Sequence, residues 1–400
     1  MKVTTDFFFR KAARKIIRLT GYVIYKFSPV NERLIVFQSE GDFWDNAYAL
    51  FDYMVSNEYN KKYRLVWLVN DACLYKDFAY ENIEFVDVNS FSIKSNLRLQ
   101  KIKSTAKYFF FTHWGYKYRK KGQFVINLWH GSIVMKASST VSPTLYKSFD
   151  FQCSPSMAAA ERMSLFTGMR KEQTLINGDC RQDYLFSDCE EKVKSFLGKG
   201  YDKYILGMPT FKKAKNWTDA QTESWILPIV KNKEQFEILN NFCKNENVLL
   251  VLKVHHLEDT SFINAGSLTN IRVLKDEDLQ KARIQVYELI GKTDALLTDF
   301  SSVAYDYMLL DRPIGYMVSE MQNYTRGFII PNIEDEMAGE KLTSLEDLEQ
   351  FILDVKNGKD EFRAARKSLV DKFFIYQKDG NCERLLEKLG IENVKRMLTN

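Results

Sequence analysis

A histidine follows a short apolar run in the segment NLWHGSIVMK, residues 127–136. The run from Phe124 to Leu128 predicts a buried strand, so His130 lies where this strand passes into a loop. A neutral imidazole in such a place can accept a proton from an attacking hydroxyl near pH 7. A histidine beside a tryptophan is also often a partly buried structural residue. Two interpretations are therefore open for His130, a general base and a core residue, and His113 in FTHWGYK is interpreted as structural.

The segment LLTDFSSVAYDYMLL contains hydroxyl groups at a predicted strand–turn–helix junction. Ala295 to Leu297 predicts a strand, and Val303 to Leu310 begins a helix. Free backbone N–H groups at a helix start attract anions, so this turn suits a phosphate or diphosphate. The alternative is a helix-capping serine without a ligand. The turn residues with polar side chains are Thr298, Asp299, Ser301 and Ser302.

Two more predicted strands end in basic or hydroxyl-bearing residues. LLVLKVHH places Lys253 and His255 on one face of a strand end, because side chains alternate along a strand. ILGMPTFKKAK places Thr210 and Lys212 after another strand. A lone lysine run is usually a solvated face, but three such turns in one domain together predict the cradle of a nucleotide diphosphate.

The rest of the chain alternates between β-rich runs and helical patterns from Arg33 onward. Such alternation predicts an α/β protein with mostly parallel sheets and helices on both faces. A polar break near residues 198–202 divides the pattern into two similar halves. We therefore predict two Rossmann-like, doubly wound domains, residues 31–198 and 199–400, that face each other across a ligand-binding cleft.

Composition excludes several classes of protein. The net charge of +5 in 400 residues is too small to favour nucleic acid as a partner. The six cysteines are scattered without a CxxC pair, which argues against zinc and disulfides and favours a reducing cytoplasm. Neither a GxGxxG nor a P-loop motif is present. No apolar run is long enough to span a bilayer, and no secretory signal peptide is predicted.

The first 30 residues predict a basic amphipathic helix. Arginines and lysines recur at helical spacing between residues 10 and 18, and apolar side chains occupy the other positions. A helix of this kind can lie on an anionic membrane surface. It can equally pack on its own domain with a solvated basic face.

Taken together and in order, these segments resemble the CDP-glycerol glycerophosphotransferase family of teichoic acid synthesis. The resemblance covers roughly residues 33–388 and depends on the order and spacing of the motifs, since no single motif is diagnostic. The segments that carry it are Asp45-Asn46, Trp129-His130-Gly131-Ser132, Gly178-Asp179-Cys180-Arg181-Gln182-Asp183, Pro209-Thr210-Phe211-Lys212, Lys253-Val254-His255, Thr298-Asp299-Phe300-Ser301-Ser302, Asp311-Arg312-Pro313, Tyr324-Thr325-Arg326-Gly327 and Asp379-Gly380.

The resemblance implies a GT-B fold, metal-independent chemistry without a cofactor, and peripheral attachment to the cytoplasmic face of the bacterial membrane. It implies transfer of a polyol phosphate, first of all glycerol phosphate, from a CDP-polyol to a lipid-linked or polymeric acceptor. His130 would be the general base, and His255 would act with it in catalysis. The substrate-binding residues that it implies are Trp129, Gly131, Ser132, Thr210, Lys212, Lys253, Thr298, Asp299, Ser301, Ser302 and Arg326.

Two departures from the family pattern affect the acceptor and the identity of the polyol. Ile133-Val134-Met135 replaces Pro-Leu-Lys after the histidine motif, and His256 replaces the proline after Lys-x-His. Two other functions stay open at this point. One is a GT-B glycosyltransferase that uses a nucleotide sugar, and the other is a non-catalytic, membrane-associated protein that binds a nucleotide diphosphate.

Overall fold

The structure is a computed structural model. It describes residues 2–78, 80–113, 115–116, 119–135, 137, 144–209, 226–254, 268–319, 321 and 327–392, with the backbone alone for residues 2–12 and 14.

Apolar runs form the strands of two parallel sheets. Central strands are buried along almost their whole length, as expected for parallel strands covered on both faces. The strands of the described residues are β1 (Asn31–Gln38), β2 (Arg64–Val69), β3 (Ile83–Asp87), β4 (Ala106–Phe111), β5 (Phe124–Asn127), β6 (Phe151–Ser154), β7 (Thr174–Ile176), β8 (Lys203–Gly207), β9 (Val248–Lys253), β10 (Ile271–Leu274), β11 (Ala295–Thr298), β12 (Ile314–Met317) and β13 (Glu340–Leu342).

The strand order places a topological switch point in each sheet. The first sheet has the order β3-β2-β1-β4-β5-β6-β7, and the second has the order β10-β9-β8-β11-β12-β13. The paired strands are parallel throughout. The order reverses between β1 and β4 in the first sheet and between β8 and β11 in the second. Ligands of such sheets bind beyond the carboxyl ends of the strands at the switch point. The predicted α/β class with two parallel sheets is confirmed.

Helices connect most of the strands, and several begin at a side-chain cap. Ser92, Ser156, Asn232 and Ser344 each accept a backbone N–H from the first turn that follows. The helices of the described residues are α1 (Lys2–Tyr25), α2 (Asp45–Ser56), α3 (Ile93–Thr105), α4 (Met157–Thr167), α5 (Glu190–Leu197), α6 (Lys233–Asn245), α7 (Asp276–Ala282), α8 (Val286–Gly291), α9 (Val303–Met308), α10 (Leu345–Lys356), α11 (Arg363–Phe373) and α12 (Asn381–Lys388).

The chain divides into two compact units. The first contains Met1–His130, Val141–Arg181 and Gly380–Asn400, and the second contains Gly131–Thr140 and Gln182–Asp379. Each unit holds one of the two sheets. A compact unit is a geometric grouping, whereas a domain folds as a unit, so the sequence-based boundary at residues 198–199 stays a prediction.

Each unit has its own apolar core. In the first, Phe37 of β1 stacks on Trp67 of β2 and on Phe110 of β4, with ring centroids 5.6 Å apart in both pairs. In the second, β8, β9 and β11 pack with α6 and α10 through fully buried Leu239 and Leu348. These cores hold the strands that carry the candidate site residues.

The amino-terminal helix α1 packs on α3. A Cβ atom added at Gly21 would lie 2.9 Å from the side chain of Gln100, so the two helices approach each other closely there. Arg18 donates to the Asn96 side chain at 2.9 Å and to the carbonyl of Val88. Among the described residues, no helix has both the length and the apolar character that crossing a membrane requires.

Candidate active site

Three ionisable side chains follow neighbouring strands at the carboxyl edge of the first sheet. Glu40 comes after β1, His113 after β4 and His130 after β5, and these strands are adjacent in the sheet. The Nε2 atom of His113 lies 3.0 Å from a carboxylate oxygen of Glu40. The switch point of the first sheet therefore brings together a carboxylate and two imidazoles.

The tautomer of His130 follows from its hydrogen bond to the backbone. Its Nδ1 lies 3.1 Å from the backbone carbonyl oxygen of Thr112. A carbonyl only accepts, so Nδ1 carries the proton and the lone pair is on Nε2. No described residue forms a hydrogen bond with Nε2. This is the tautomer that a general base requires, with its basic nitrogen available to a substrate.

The pKa of His130 is lowered from 6.5 to about 4, chiefly by burial and then by the neighbouring His113. The charge of Asp45 and the hydrogen bond to Thr112 oppose this shift, while Arg181 adds to it. Burial also lowers the pKa of His113. His130 is therefore neutral at physiological pH, with an unprotonated Nε2.

The rings of His113 and His130 stack almost in parallel, with centroids 4.0 Å apart and an interplanar angle of 4°. The other neighbour of His130 is Trp129, whose ring centroid is 4.4 Å away. Trp129 is buried and meets Phe166 edge to face at 5.8 Å. The sequence-based interpretation of His113 as structural did not anticipate this direct contact with the candidate base.

The backbone that carries His130 is held in a strained conformation. Trp129 has φ = 58°, a left-handed value that is rare for a bulky residue and costs about 1–3 kcal/mol. Buried Asn46 donates to the carbonyls of Leu128 and Trp129 at 3.2 and 3.1 Å. Asn127 accepts the N–H of Trp129 at 3.0 Å. These bonds stabilise the turn that orients the imidazole.

An ion pair between Arg181 and Asp45, both largely buried, supports the same turn. Arg181 donates to the Asp45 carboxylate at 2.8 Å and to the carbonyl of His130 at 3.1 Å. Its backbone N–H donates to Asn46 at 2.9 Å. Sequence reasoning named these positions only as family segments, without a role. Their spacing of more than 130 residues gives no local signal for the contact.

Thr298 to Ser302, part of the predicted phosphate cradle, lie at the carboxyl end of β11, at the switch point of the second sheet. Thr298, the last residue of β11, donates to the carbonyl of Met208 after β8 at 2.8 Å. Asp299 is buried, whereas Ser301 and Ser302 are partly exposed before α9. The Ser302 side chain forms no cap hydrogen bond with the helix. Both serines thus keep part of their surface accessible at the turn that the sequence predicted.

Gly131 and Ser132 pack against α9 and the turn before it. A Cβ atom on Gly131 would lie 3.1 Å from the hydroxyl of Ser302. Ser132 is buried and donates to the carboxylate of Asp306. Gln182 donates to the same carboxylate oxygen at 2.7 Å, and Tyr287 donates to the other one. The substrate-binding role predicted for Ser132 stays a prediction.

Lys253 is the last residue of β9, and its ammonium group contacts other groups of the protein. It pairs with Asp276 at 2.8 Å and donates to the carbonyl of Val254 at 2.9 Å. Both side chains of the pair are largely buried. The lysine fixes the edge of the sheet, and its predicted contact with a diphosphate stays a prediction.

Asp311 and Arg312, in the segment Asp311-Arg312-Pro313 that resembles the family, contact other parts of the protein. Arg312 donates to the carbonyls of Gly291 and Thr293, which closes the loop before β11. Asp311 pairs with Arg366, a fully buried arginine of α11.

Four predicted site residues lie outside the described residues: Thr210, Lys212, His255 and Arg326. Within the described residues, no group of three or more His, Cys, Asp or Glu side chains is arranged to hold a metal ion.

A parallel sheet with polar residues at its switch point is typical of proteins that bind ligands beyond the carboxyl ends of the strands. The sequence profile of the family described as "CDP-Glycerol:Poly(glycerophosphate) glycerophosphotransferase" matches residues 21–390. The chain belongs to this family. The predicted family, enzyme class and reaction, glycerophosphate transfer from CDP-glycerol, are confirmed.

Known relatives agree with this assignment. A "Teichoic acid poly(glycerol phosphate) polymerase" of Bacillus spizizenii is 26% identical over 393 residues, which cover 90% of this chain and 93% of that protein. A polymerase of the same name from Staphylococcus epidermidis is 24% identical over 344 residues, 76% of this chain but only 43% of that protein. The solved wall teichoic acid polymerase TagF has a TM-score of 0.73 at 21% identity and covers 97% of this chain and 95% of the other. At that identity the likeness establishes the fold alone.

Proposed function

We propose that this chain transfers glycerol phosphate, or the phosphate of a related polyol, from its CDP derivative to a hydroxyl of a membrane-linked or polymeric acceptor in teichoic acid or capsule-type surface polymer synthesis. The family match and the names of the relatives support the donor and the pathway class. One TagF structure was obtained after a soak with CDPG. The observation that carries the proposal is the Nε2 lone pair of His130 at the carboxyl edge of the first sheet.

His130 is the general base of the proposed reaction. Its Nε2 takes the proton of the acceptor hydroxyl while the hydroxyl oxygen attacks the β-phosphorus of the CDP-polyol. A new P–O bond forms, the P–O bond to CMP breaks, and CMP leaves with the bonding electron pair. The product is a phosphodiester. Positioning and charge stabilisation account for most catalysis in phosphoryl transfer.

The donor diphosphate lies at the switch point of the second sheet in this proposal. Ser301 and Ser302, partly exposed after β11, donate to its oxygens. Asp299 orients the turn or a donor hydroxyl, and Lys253 adds positive charge at the end of β9. The remaining contacts come from Thr210, Lys212, His255 and Arg326, and the transfer needs no metal ion.

A GT-B arrangement of the two sheet-bearing units accompanies this mechanism, with the acceptor bound by residues 31–198 and the donor by residues 199–400. Support comes from the strand orders, each of which has one switch point. Comparison of small-angle X-ray scattering with and without CDP-glycerol tests it. Closure of two domains on the donor would reduce the radius of gyration.

Peripheral attachment to the cytoplasmic membrane face is part of the proposal, and α1 is the contact. Ile16, Leu19, Val23 and Ile24 recur at helical spacing and remain 57–65% exposed, and Phe27 just beyond the helix is 87% exposed. Exposed Lys15 and Lys26 flank this apolar stripe. Such a stripe with flanking lysines fits the interface of an anionic bilayer.

Replacing Leu19 and Val23 together with serine is expected to weaken binding to vesicles that contain anionic lipid by at least about tenfold. Full burial of one such side chain contributes about 1.5–3 kcal/mol, and 1.4 kcal/mol is a factor of ten. Vesicle co-sedimentation measures the change. The matched control is Leu74→Ser with Ile375→Ser, which removes equally exposed apolar side chains elsewhere. Equal loss of binding in both double variants would contradict a role specific to α1.

A donor screen tests the reaction itself. The purified chain is incubated with CDP-glycerol, CDP-ribitol and common UDP-sugars, together with a short lipid-linked acceptor, and product mass is measured. Release of CMP and addition of one polyol phosphate to the acceptor support the proposal. Release of UDP would instead indicate a glycosyltransferase, and binding without turnover on any acceptor would indicate a non-catalytic protein. Excess EDTA should leave CMP release unchanged.

A further inference from the structure

The two stacked imidazoles of His113 and His130 have hydrogen-bond partners beyond those that a single general base requires. Thr112 contacts both rings. Its carbonyl oxygen lies 3.1 Å from Nδ1 of His130, and its hydroxyl lies 2.8 Å from Nδ1 of His113. Thr112, which lies between β4 and His113, therefore forms hydrogen bonds with both rings.

The hydrogen bonds fix the tautomer of His113 as well as that of His130. The Nε2 atom of His113 is 3.0 Å from the carboxylate of Glu40, which is exposed to solvent and accepts hydrogen bonds. Nε2 therefore carries the proton, and Nδ1 accepts the hydroxyl proton of Thr112. His113 has its proton on Nε2, while His130 has its proton on Nδ1. The stacked rings are opposite tautomers, and each one is neutral.

A charge on either ring acts strongly on the other, because their centroids are 4.0 Å apart. When His130 accepts a proton, a neutral His113 presents a polarisable ring face to the new cation. A protonated His113 would repel it. The other charged groups that act on the pair are Glu40 after β1, Asp45 at the start of α2 and Arg181 after β7.

We propose that Thr112 and His113 are positioning residues for His130, in which the Thr112 carbonyl and the Glu40 carboxylate set opposite tautomers in the two stacked imidazoles and neutral His113 keeps the Nε2 atom of His130 available as the base. This inference rests on the proposed function in one respect, the role of His130 as the base. The tautomers and the coupling of the two rings do not depend on which donor the enzyme uses.

Nitrogen-15 NMR of the full chain tests the tautomers directly. The chain has four histidines, so the imidazole nitrogen signals can be assigned with His113→Phe and His130→Asn variants. Above pH 7 we expect His130 to be protonated at Nδ1 only and His113 at Nε2 only. The reverse assignment, or a mixture of tautomers on His130, would overturn the proposal. No substrate is present, so this result stands whatever the donor screen gives.

A titration of the same samples tests the coupling. His113→Phe keeps an aromatic ring in the stack but cannot become charged. Since His113 lowers the pKa of His130, loss of its titratable ring should raise that pKa, and the two coupled steps should become one. An unchanged titration of His130 in a folded His113→Phe protein would mean that the rings act independently.

Thr112 provides a second variant should the His113 substitution disturb folding. Thr112→Val removes the hydroxyl but keeps the carbonyl, whereas Thr112→Ser keeps both. The valine variant leaves Nδ1 of His113 without its hydroxyl donor and should lower kcat several-fold, with KM for CDP-glycerol unchanged. The serine variant should match the wild type. Equal kcat values in the two variants, with the wild-type tautomers in both, would refute a positioning role for the hydroxyl.

Discussion

Turnover of CDP-glycerol is expected to fall by at least about a hundredfold when His130 is replaced with asparagine, the usual scale for loss of a general base. Asparagine can still donate a hydrogen bond from its amide to the Thr112 carbonyl, which Nδ1 contacts in the wild type at 3.1 Å. It cannot accept a proton near neutral pH. The substitution therefore removes the proton acceptor and keeps the local hydrogen bond. Release of CMP in the presence of acceptor measures the effect.

The affinity for donor separates this loss from general damage. CDP-glycerol should bind the variant as it binds the wild type, because the base acts on the acceptor hydroxyl. Isothermal titration calorimetry measures that affinity. A variant with normal turnover would remove His130 from the mechanism, and a variant that also loses donor affinity would indicate a disturbed site instead of a lost base.

The pH dependence of stability gives an independent check on the same residue. His130 has a pKa of about 4 in the folded chain and 6.5 as its ordinary value. The unfolded chain therefore binds a proton below pH 6.5 that the folded chain does not bind until about pH 4. The free energy of unfolding must fall as the pH decreases through this window. Denaturant unfolding at several pH values should show a smaller fall for His130→Asn.

Most central elements of the fold could be predicted from the sequence. The sequence predicts strands at Arg64–Val69, Ile271–Leu274 and Ile314–Met317, because apolar runs between polar residues mark buried parallel strands clearly. The structure has strands with these limits. The strands that were not predicted are β3, β7 and β13, which lie at sheet edges. Two of these have only three residues, too few for a pattern to emerge.

Helix α3 was also not predicted from the sequence, for a different reason. It buries Asn96, Gln100 and Ser104 along with two apolar residues, so its sequence lacks the apolar stripe of a surface helix. Asn96 is satisfied by the carbonyls of Ser90 and Ser92, bonds that depend on the folded loop. Polar residues buried by specific partners cannot be recognised from periodicity.

The sequence marks His130 as a candidate site residue, but it does not show the contacts that hold His130 in place. His130 could be identified because a polar residue after a buried strand is informative in an α/β sequence. The adjacency of β4 and β5, which stacks His113 on His130, depends on the strand order, and no local pattern gives that order. The same holds for Arg181 and Asp45, which are 136 residues apart.

Asp306 is the residue for which we expect the largest loss of stability in the second unit. Its carboxylate is fully buried and accepts hydrogen bonds from Ser132, Gln182 and Tyr287. Asp306→Ala leaves these three donors without that acceptor. A stranded buried donor costs about 1–3 kcal/mol, so the free energy of unfolding should fall by about 3 kcal/mol or more. Denaturant unfolding followed by fluorescence measures it.

Asp335→Asn is the matched control, because Asp335 is an exposed aspartate of the same unit. It should change the unfolding free energy by no more than about 0.5 kcal/mol. Asp306→Asn should fall between the two. Its amide nitrogen can donate to the hydroxyl of Tyr287. Its amide oxygen can still accept hydrogen bonds from Ser132 and Gln182. Equal stability of Asp306→Ala and Asp335→Asn would refute the importance of this network.

Asp306 also connects the stability of the second unit to the turn that follows the candidate base. Ser132 is two residues from His130 along the chain, and its hydroxyl is fixed by Asp306 and by Gln182 at 3.0 Å. Ser132→Ala removes one donor and leaves the others paired, so its cost should be about 1 kcal/mol. Combined with Asp306→Ala, it should add much less than it costs alone, since the donor is already stranded. Such a cycle distinguishes a network that holds the turn in place from a set of independent contacts, in which the two costs would simply add.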